Sequence, residues 1–181
     1  MNYIASTDGS CDNLHPQRPG GAAYIILDKD GREIKRASKG FTGTSNNRME
    51  ILAIMSVVNF LPKDSSVTIY SDSQYSINVL NGRWSPVKNL DQIKRYRSIC
   101  ASKNLKVDLK WVKGHSGNDN NEDCDKMARM ECRKACKELK GHGSKQVRET
   151  RSPKAKDSTF RSKTVKPIRT RVKTIKKPRK K

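Results

Sequence analysis

Read from the N-terminus, the hydrophobic pattern of this chain first has the spacing of strands and then of helices alternating with strands. "YIAST" is a short apolar strand running into "DGS", a turn signal. "GGAAYIIL" reads as a second strand, and "DKDG" closes a hairpin into a third, "REIKRASKGF". "TSNNRMEILAIMSVVNFL" changes period. Thr44 or Ser45 can cap it, its apolar positions from Met49 to Leu61 cover more than one face, and Pro62 ends it, so it predicts a helix packed on two sides. "SVTIYS" is a buried strand, "DSQYSINVLNG" a short helix ending near Gly82, and a longer helix starts near Leu90. "LKVDLKWV" alternates as a strand. "NNEDCDKMARMECRKACKEL" closes the series with an inner stripe of Cys124, Ala128, Cys132, Ala135 and Leu139, spaced by three and four. The order β-β-β-α-β-α-α-β-α predicts an α/β mixed sheet covered by helices.

Composition then divides the chain. Of 39 Lys and Arg, residues 140–181 hold 17, against only two acids, Glu149 and Asp157. That segment carries +15 of the formal +21. Ser, Thr, Pro and Lys dominate beyond "GHGSKQ", where a break is expected, and such a segment cannot bury enough apolar area to offset chain entropy. The expected organisation is a folded domain over 1–139 and a disordered, strongly basic tail over 140–181. No run approaches a membrane span, the N-terminus lacks the pattern of a secretory signal, and no further domain is expected before the first strand. Five cysteines, an odd number without a C-x-x-C, argue against a disulfide framework or structural zinc and for reduced thiols in an intracellular protein, cytoplasmic or nuclear.

Three acids occupy telling positions. Asp8 ends the first strand, Asp72 ends the fourth, and Glu50 lies in the first turns of the apolar helix. Each alone has an ordinary use as a turn former, a cap or a dipole partner. Together they converge if strands one and four are neighbours with the helix packed over them. Clustered carboxylate oxygens suit Mg²⁺ or Mn²⁺. A further polar stretch, "WVKGHSGNDNNEDCD", sets His115 beside several acids on a Gly-flanked segment. His15 and His142 have no such surroundings.

The ordered motifs "TDGSC", "TSNNRMEI", "YSDSQYS", "PVKN" and "WVKGHSG…N…DCDKMA" resemble type 1 ribonuclease H over about residues 3–137. The resemblance implies the RNase H-like fold, a five-stranded mixed sheet of three antiparallel then parallel strands flanked by helices. It implies a D-E-D-D metal site at Asp8, Glu50, Asp72 and Asp125, holding two Mg²⁺ ions with Mn²⁺ possible, and a loop histidine at His115 for proton transfer or product release. The implied reaction is endonucleolytic hydrolysis of the RNA strand of an RNA–DNA hybrid by two metal ions, giving 5′-phosphate and 3′-hydroxyl ends. Implied RNA-side contacts are Ser10, Cys11, Asn46, Arg48, Met49 and Gln74, with Asn46 and Asn47 alternatively reaching the DNA. Ser45 and Asn89 match positions that grip a DNA phosphate, Ser45 standing where Thr is usual. Many members insert a basic helix and loop before "PVKN". Here "NVLNGRWSPVKN" passes directly, leaving Arg83 and Trp84, with Trp84 able to stack on a DNA sugar.

Losing that insertion should weaken hybrid binding, and the tail "SKTVKPIRTRVKTIKKPRKK" is suited to compensate through phosphate contacts without sequence preference. A solubilising or nuclear-targeting role fits the same composition. No membrane partner is expected, and the chain is expected to be a monomer. Two other readings compete with the nuclease: a catalytically dead hybrid-binding module, and another nuclease of the superfamily. The complete acid set opposes the first, and "KGHSG" without polymerase sequence opposes the second.

Overall fold

The computed structural model describes residues 1–114, 117 and 119–146, the last six by their backbone alone. The elements run β1 (Asn2–Cys11), β2 (Gly20–Asp28), β3 (Glu33–Phe41), α1 (Asn46–Phe60), β4 (Ser66–Ser71), α2 (Gln74–Leu80), α3 (Leu90–Ser102), β5 (Lys106–Trp111) and α4 (Asp119–Gln146). The order is the expected one, and the five strands form one mixed sheet, β3-β2-β1-β4-β5. β1, β2 and β3 pair antiparallel, while β4 joins β1 and β5 in parallel.

The two sheet faces carry different cores. Alternation along β2 sends Ile26 to one side, with Ile54, Val58, Ile69 and Leu109, and Ile25 to the other, with Ala23, Cys124 and Ala128. The first face takes α1, whose buried residues Met49, Glu50, Ile51, Ala53, Ile54, Met55, Val57 and Val58 surround most of the helix. That is the two-sided packing its sequence predicts, since α3 leans on its outer flank. The opposite face takes α4, which buries Cys124, Ala128, Cys132 and Ala135, four of the five positions of its predicted stripe. All five cysteines are free thiols.

α1 ends at Phe60, with Leu61 as its C-cap and Pro62 beyond it. Its last carbonyls are taken up by Lys103 Nζ, which donates to Val58 O, Asn59 O and Leu61 O at 3.3, 2.6 and 2.8 Å. A cation at a helix C-terminus meets both the orphan acceptors and the negative end of the dipole.

Two expectations need correction. "DGS" is not a turn: β1 continues to Cys11, pairing Asp8 with Ala23 and Cys11 with Gly20. Gly9 is there for clearance, because a Cβ on it would run into Glu50 N and the Met49 carbonyl carbon. Second, the break expected from 141 onward is helical, α4 continuing to Gln146; extending an established helix costs far less than nucleating one. Residues 147–181 lie outside the described residues.

Candidate active site

The parallel register of β1 and β4 decides where the acids fall. Ser6 pairs with Tyr70. Two residues further on, where this pairing has stopped, stand Asp8, still within β1, and Asp72, just past the end of β4. Glu50 arrives from above. Ser45 caps α1, its hydroxyl accepting from Arg48 N, and the start of the second turn brings Glu50 against Gly9. Without a side chain at Gly9, α1 sits directly on β1. One oxygen from each of Asp8, Glu50 and Asp72 lies within 4.8 Å of the others.

This arrangement is electrostatically costly. Asp8 is 5% exposed and Glu50 6%. Burial, then the Asp72 charge, push the Asp8 carboxyl from 3.8 up to about 8, while a hydrogen bond from Gly9 N (2.8 Å) pulls the other way. Glu50 is likewise raised well above the ordinary carboxylate range, first by burial, then by Asp8 and Asp72. Asn46, one turn earlier on α1, donates Nδ2 to Glu50 Oε1 at 3.3 Å, but Glu50 Oε2 is buried with no hydrogen-bond partner among the described residues. An orphaned acceptor in a nest of carboxylates is the kind of group a bound cation satisfies. The donors are all hard oxygens, which fits Mg²⁺ or Mn²⁺ and not a softer metal.

The fourth expected acid, Asp125, stands in the second turn of α4 and interacts with Asp8 by charge and side-chain hydrogen bond. It is not among the three mutually close oxygens, and its Oδ1 is held at 2.7 Å by Arg129 Nε, one turn on. His115 lies outside the described residues. Gly114 just before it is described, and a Cβ there would stand 2.8 Å from Asp72 Oδ2, so the main chain leading to the histidine presses on the acid cluster.

The other expected residues separate into groups. Ser45, Asn46, Asn47, Trp84 and Asn89 line a single groove of about 460 Å³, together with Asn13, Tyr75 and Lys88. Trp84 is half exposed there. Ser10 and Cys11 are half-buried at the end of β1, and Gln74 is exposed at the start of α2. The Met49 side chain, by contrast, is 2% exposed and packs with Ala22 and Ala53. Arg48 is engaged by Asp91 through two short bonds. Sequence reasoning missed Gly114, Arg129, Asp91 and the bond from Trp111 Nε1 to Asp72 O (3.0 Å). Only the i, i+4 spacing of Asn46–Glu50 and Asp125–Arg129 offered a signal.

Comparison with known proteins bears on the family and the fold. A family model described as RNase H matches residues 2–133. Ribonuclease H of Nitratidesulfovibrio vulgaris strain DP4 is 40% identical over 139 residues, covering 69% of this chain and 85% of that protein. Ribonuclease HI of Helicobacter pylori is 39% identical over 138 residues, covering 72% and 92%. Among solved structures, RNase H1 from the halophilic archaeon Halobacterium salinarum matches with a TM-score of 0.62 at 17% identity, over 75% of this chain and 100% of that one. The N-terminal RNase H domain of a Mycobacterium tuberculosis protein matches with a TM-score of 0.63 at 14% identity, over 77% and 99%. At those identities the structural likeness speaks for the fold.

Proposed function

The chain belongs to the ribonuclease H family, and from that premise we propose that it cuts the RNA strand of RNA–DNA hybrids at the acid cluster formed by β1, the end of β4 and the start of α1. The observation that carries this is the convergence of Asp8, Glu50 and Asp72, with one buried oxygen of Glu50 that has no hydrogen-bond partner among the described residues. Asp8, Glu50, Asp72 and Asp125 would hold two divalent cations, Mg²⁺ or Mn²⁺. When bound, these supply a water of lowered pKa and neutralise the charge that builds on the phosphate.

The rest of the site acts through its own side chains. In the hydrolysis a water oxygen bonds to phosphorus, the P–O3′ bond breaks, and the 3′-oxygen takes up a proton, leaving 5′-phosphate and 3′-hydroxyl ends. His115 is the group we assign to that proton transfer. His115→Ala is expected to lower kcat more than KM; an unchanged kcat would remove His115 from the mechanism. Selection of RNA requires contact with the 2′-hydroxyl. Ser10, Cys11, Asn46 and Gln74, near the cluster on β1, α1 and α2, offer polar groups for it. The groove between Ser45 and Asn89 takes the DNA strand, with a phosphate near those two side chains and a sugar against Trp84. The basic segment 140–181 adds phosphate contacts indifferent to sequence.

Labelled RNA–DNA hybrid, double-stranded RNA, single-stranded RNA and DNA, each incubated with Mg²⁺ or with chelator, test the reading. Mg²⁺-dependent cutting confined to the RNA of the hybrid is the expected result. Hybrid binding without cutting would leave a binding module, and cutting of DNA would point to another nuclease chemistry on the same fold.

A further inference from the structure

Arg48 is expected from the sequence to meet the RNA strand, yet its guanidinium is already committed. Nη1 donates to Asp91 Oδ1 at 2.9 Å and Nη2 to Asp91 Oδ2 at 2.7 Å. The two hydrogen bonds of such a fork fix orientation as well as distance. A third bond runs between the same two helix starts, from Gln92 Nε2 to Arg48 O at 3.2 Å. The start of α3 is thereby fastened to the first turn of α1.

Both fastened turns adjoin the groove. Arg48 is tied to Ser45, whose hydroxyl accepts from Arg48 N. Asp91 lies two residues after Asn89. Asn89 holds a left-handed backbone, φ 60° and ψ 26°, at the N-cap of α3, and its side chain makes no capping bond. The amide points away instead, with Nδ2 3.5 Å from Tyr75 Oη, and lines the groove with Ser45. A non-glycine residue stays in that backbone region when the surrounding structure over-determines it, and such positions gather at ligand clamps. The bonds that fasten α3 to α1, from Arg48 to Asp91 and from Gln92 to Arg48 O, lie two and three residues after Asn89.

We propose that Arg48 and Asp91 form a bolt between α1 and α3 that positions Asn89 opposite Ser45 and so sets how tightly the hybrid is held. The proposal rests on reading the Ser45–Asn89 groove as the seat of a DNA phosphate. Arg48 and Asp91 are positioning residues, not contacts. Because the pair neutralises itself, Arg48 adds little to long-range attraction for phosphate. Its side chains are 36% and 63% exposed, and a pair so exposed adds little to the stability of the fold. With no basic insertion before "PVKN", this groove carries a larger share of the grip on the duplex.

The sign of one variant separates the bolt from a direct contact. If Arg48 touches nucleic acid itself, Asp91→Ala frees it and removes an acid beside a polyanion, so KM for the hybrid falls. If the bolt operates, Asp91→Ala raises KM roughly three- to tenfold, with kcat within about twofold of wild type and thermal melting little changed. Arg48→Met should do the same, and the double variant should be no worse than Arg48→Met alone. A KM that falls or does not change in Asp91→Ala overturns the bolt. Ser45→Ala and Asn89→Ala, measured alongside, test the premise. If they raise KM while Asp91→Ala does not, the bolt alone is wrong; if neither raises KM, the groove reading fails and the bolt with it.

Discussion

Replacing Asp8 by Asn should make the metal-free protein more stable while destroying its chemistry. In the folded chain, burial and the Asp72 charge raise the Asp8 carboxyl from 3.8 to about 8. The folded site therefore binds its proton more tightly than the unfolded chain does. The stabilisation is complete below the unfolded value and is lost as pH climbs through the folded one. At about 1.4 kcal/mol per pH unit, the interval from 3.8 to about 8 sets a ceiling of about 5–6 kcal/mol. Glu50, raised in the same cluster, competes for the proton, so about 2–4 kcal/mol is the expected gain for Asp8→Asn near pH 8. For a domain of this size that is a rise of about 5–15 °C in Tm. Melting curves followed by circular dichroism, in chelator, from about pH 5.5 to about pH 8.5 would show it. Wild type should lose stability across that range and the variant should lose less. Mg²⁺ should stabilise wild type far more than the variant, because a cation binds the deprotonated cluster. A chelated wild type as stable at the upper pH as at the lower, or a variant no more stable than wild type there, would refute the reasoning.

Three further outcomes follow from particular contacts. Gly114→Ala places a methyl against Asp72 Oδ2, 2.8 Å away, and should lower kcat on hybrid about tenfold or more with little change in melting. Lys103→Ala strips the donor from three carbonyls at the end of α1 and should cost about 1–2 kcal/mol in denaturant unfolding, without altering hydrolysis at saturating hybrid. Truncation after Gln146 removes most of the basic segment; KM should rise at moderate salt and its salt dependence become shallower, with kcat nearly intact. An unchanged KM and salt slope would rule out the tail as a substrate anchor.

The sequence carried the architecture because it depends on local signals. Periodicity set the element order, and the β-branched run at "SVTIYS" and the two-sided helix at Met49–Leu61 forced a sheet with a buried centre. The acids were legible as strand-end and helix-start residues, but their meeting depends on the parallel register of β1 with β4, which spacing alone does not encode. What escaped were contacts made across long separations. Gly9 looked like a turn former, although its purpose is to let α1 touch β1. Arg48 and Asp91 are 43 residues apart, and nothing local marks them as partners. Met49 sits in a motif associated with substrate, yet its side chain is packing. Gly114 reads as loop flexibility until Asp72 is found beside it.

Rates of hybrid cleavage by Asp72→Asn test the account most directly, since Asp72 joins the cluster from β4 and its replacement leaves volume and backbone unchanged. With circular dichroism matching wild type, the account predicts that Mg²⁺-dependent cutting of the RNA strand falls by at least about 10²–10³-fold, the scale expected for removing a group that stabilises the transition state. A folded Asp72→Asn protein cutting hybrid at close to the wild-type rate would contradict it.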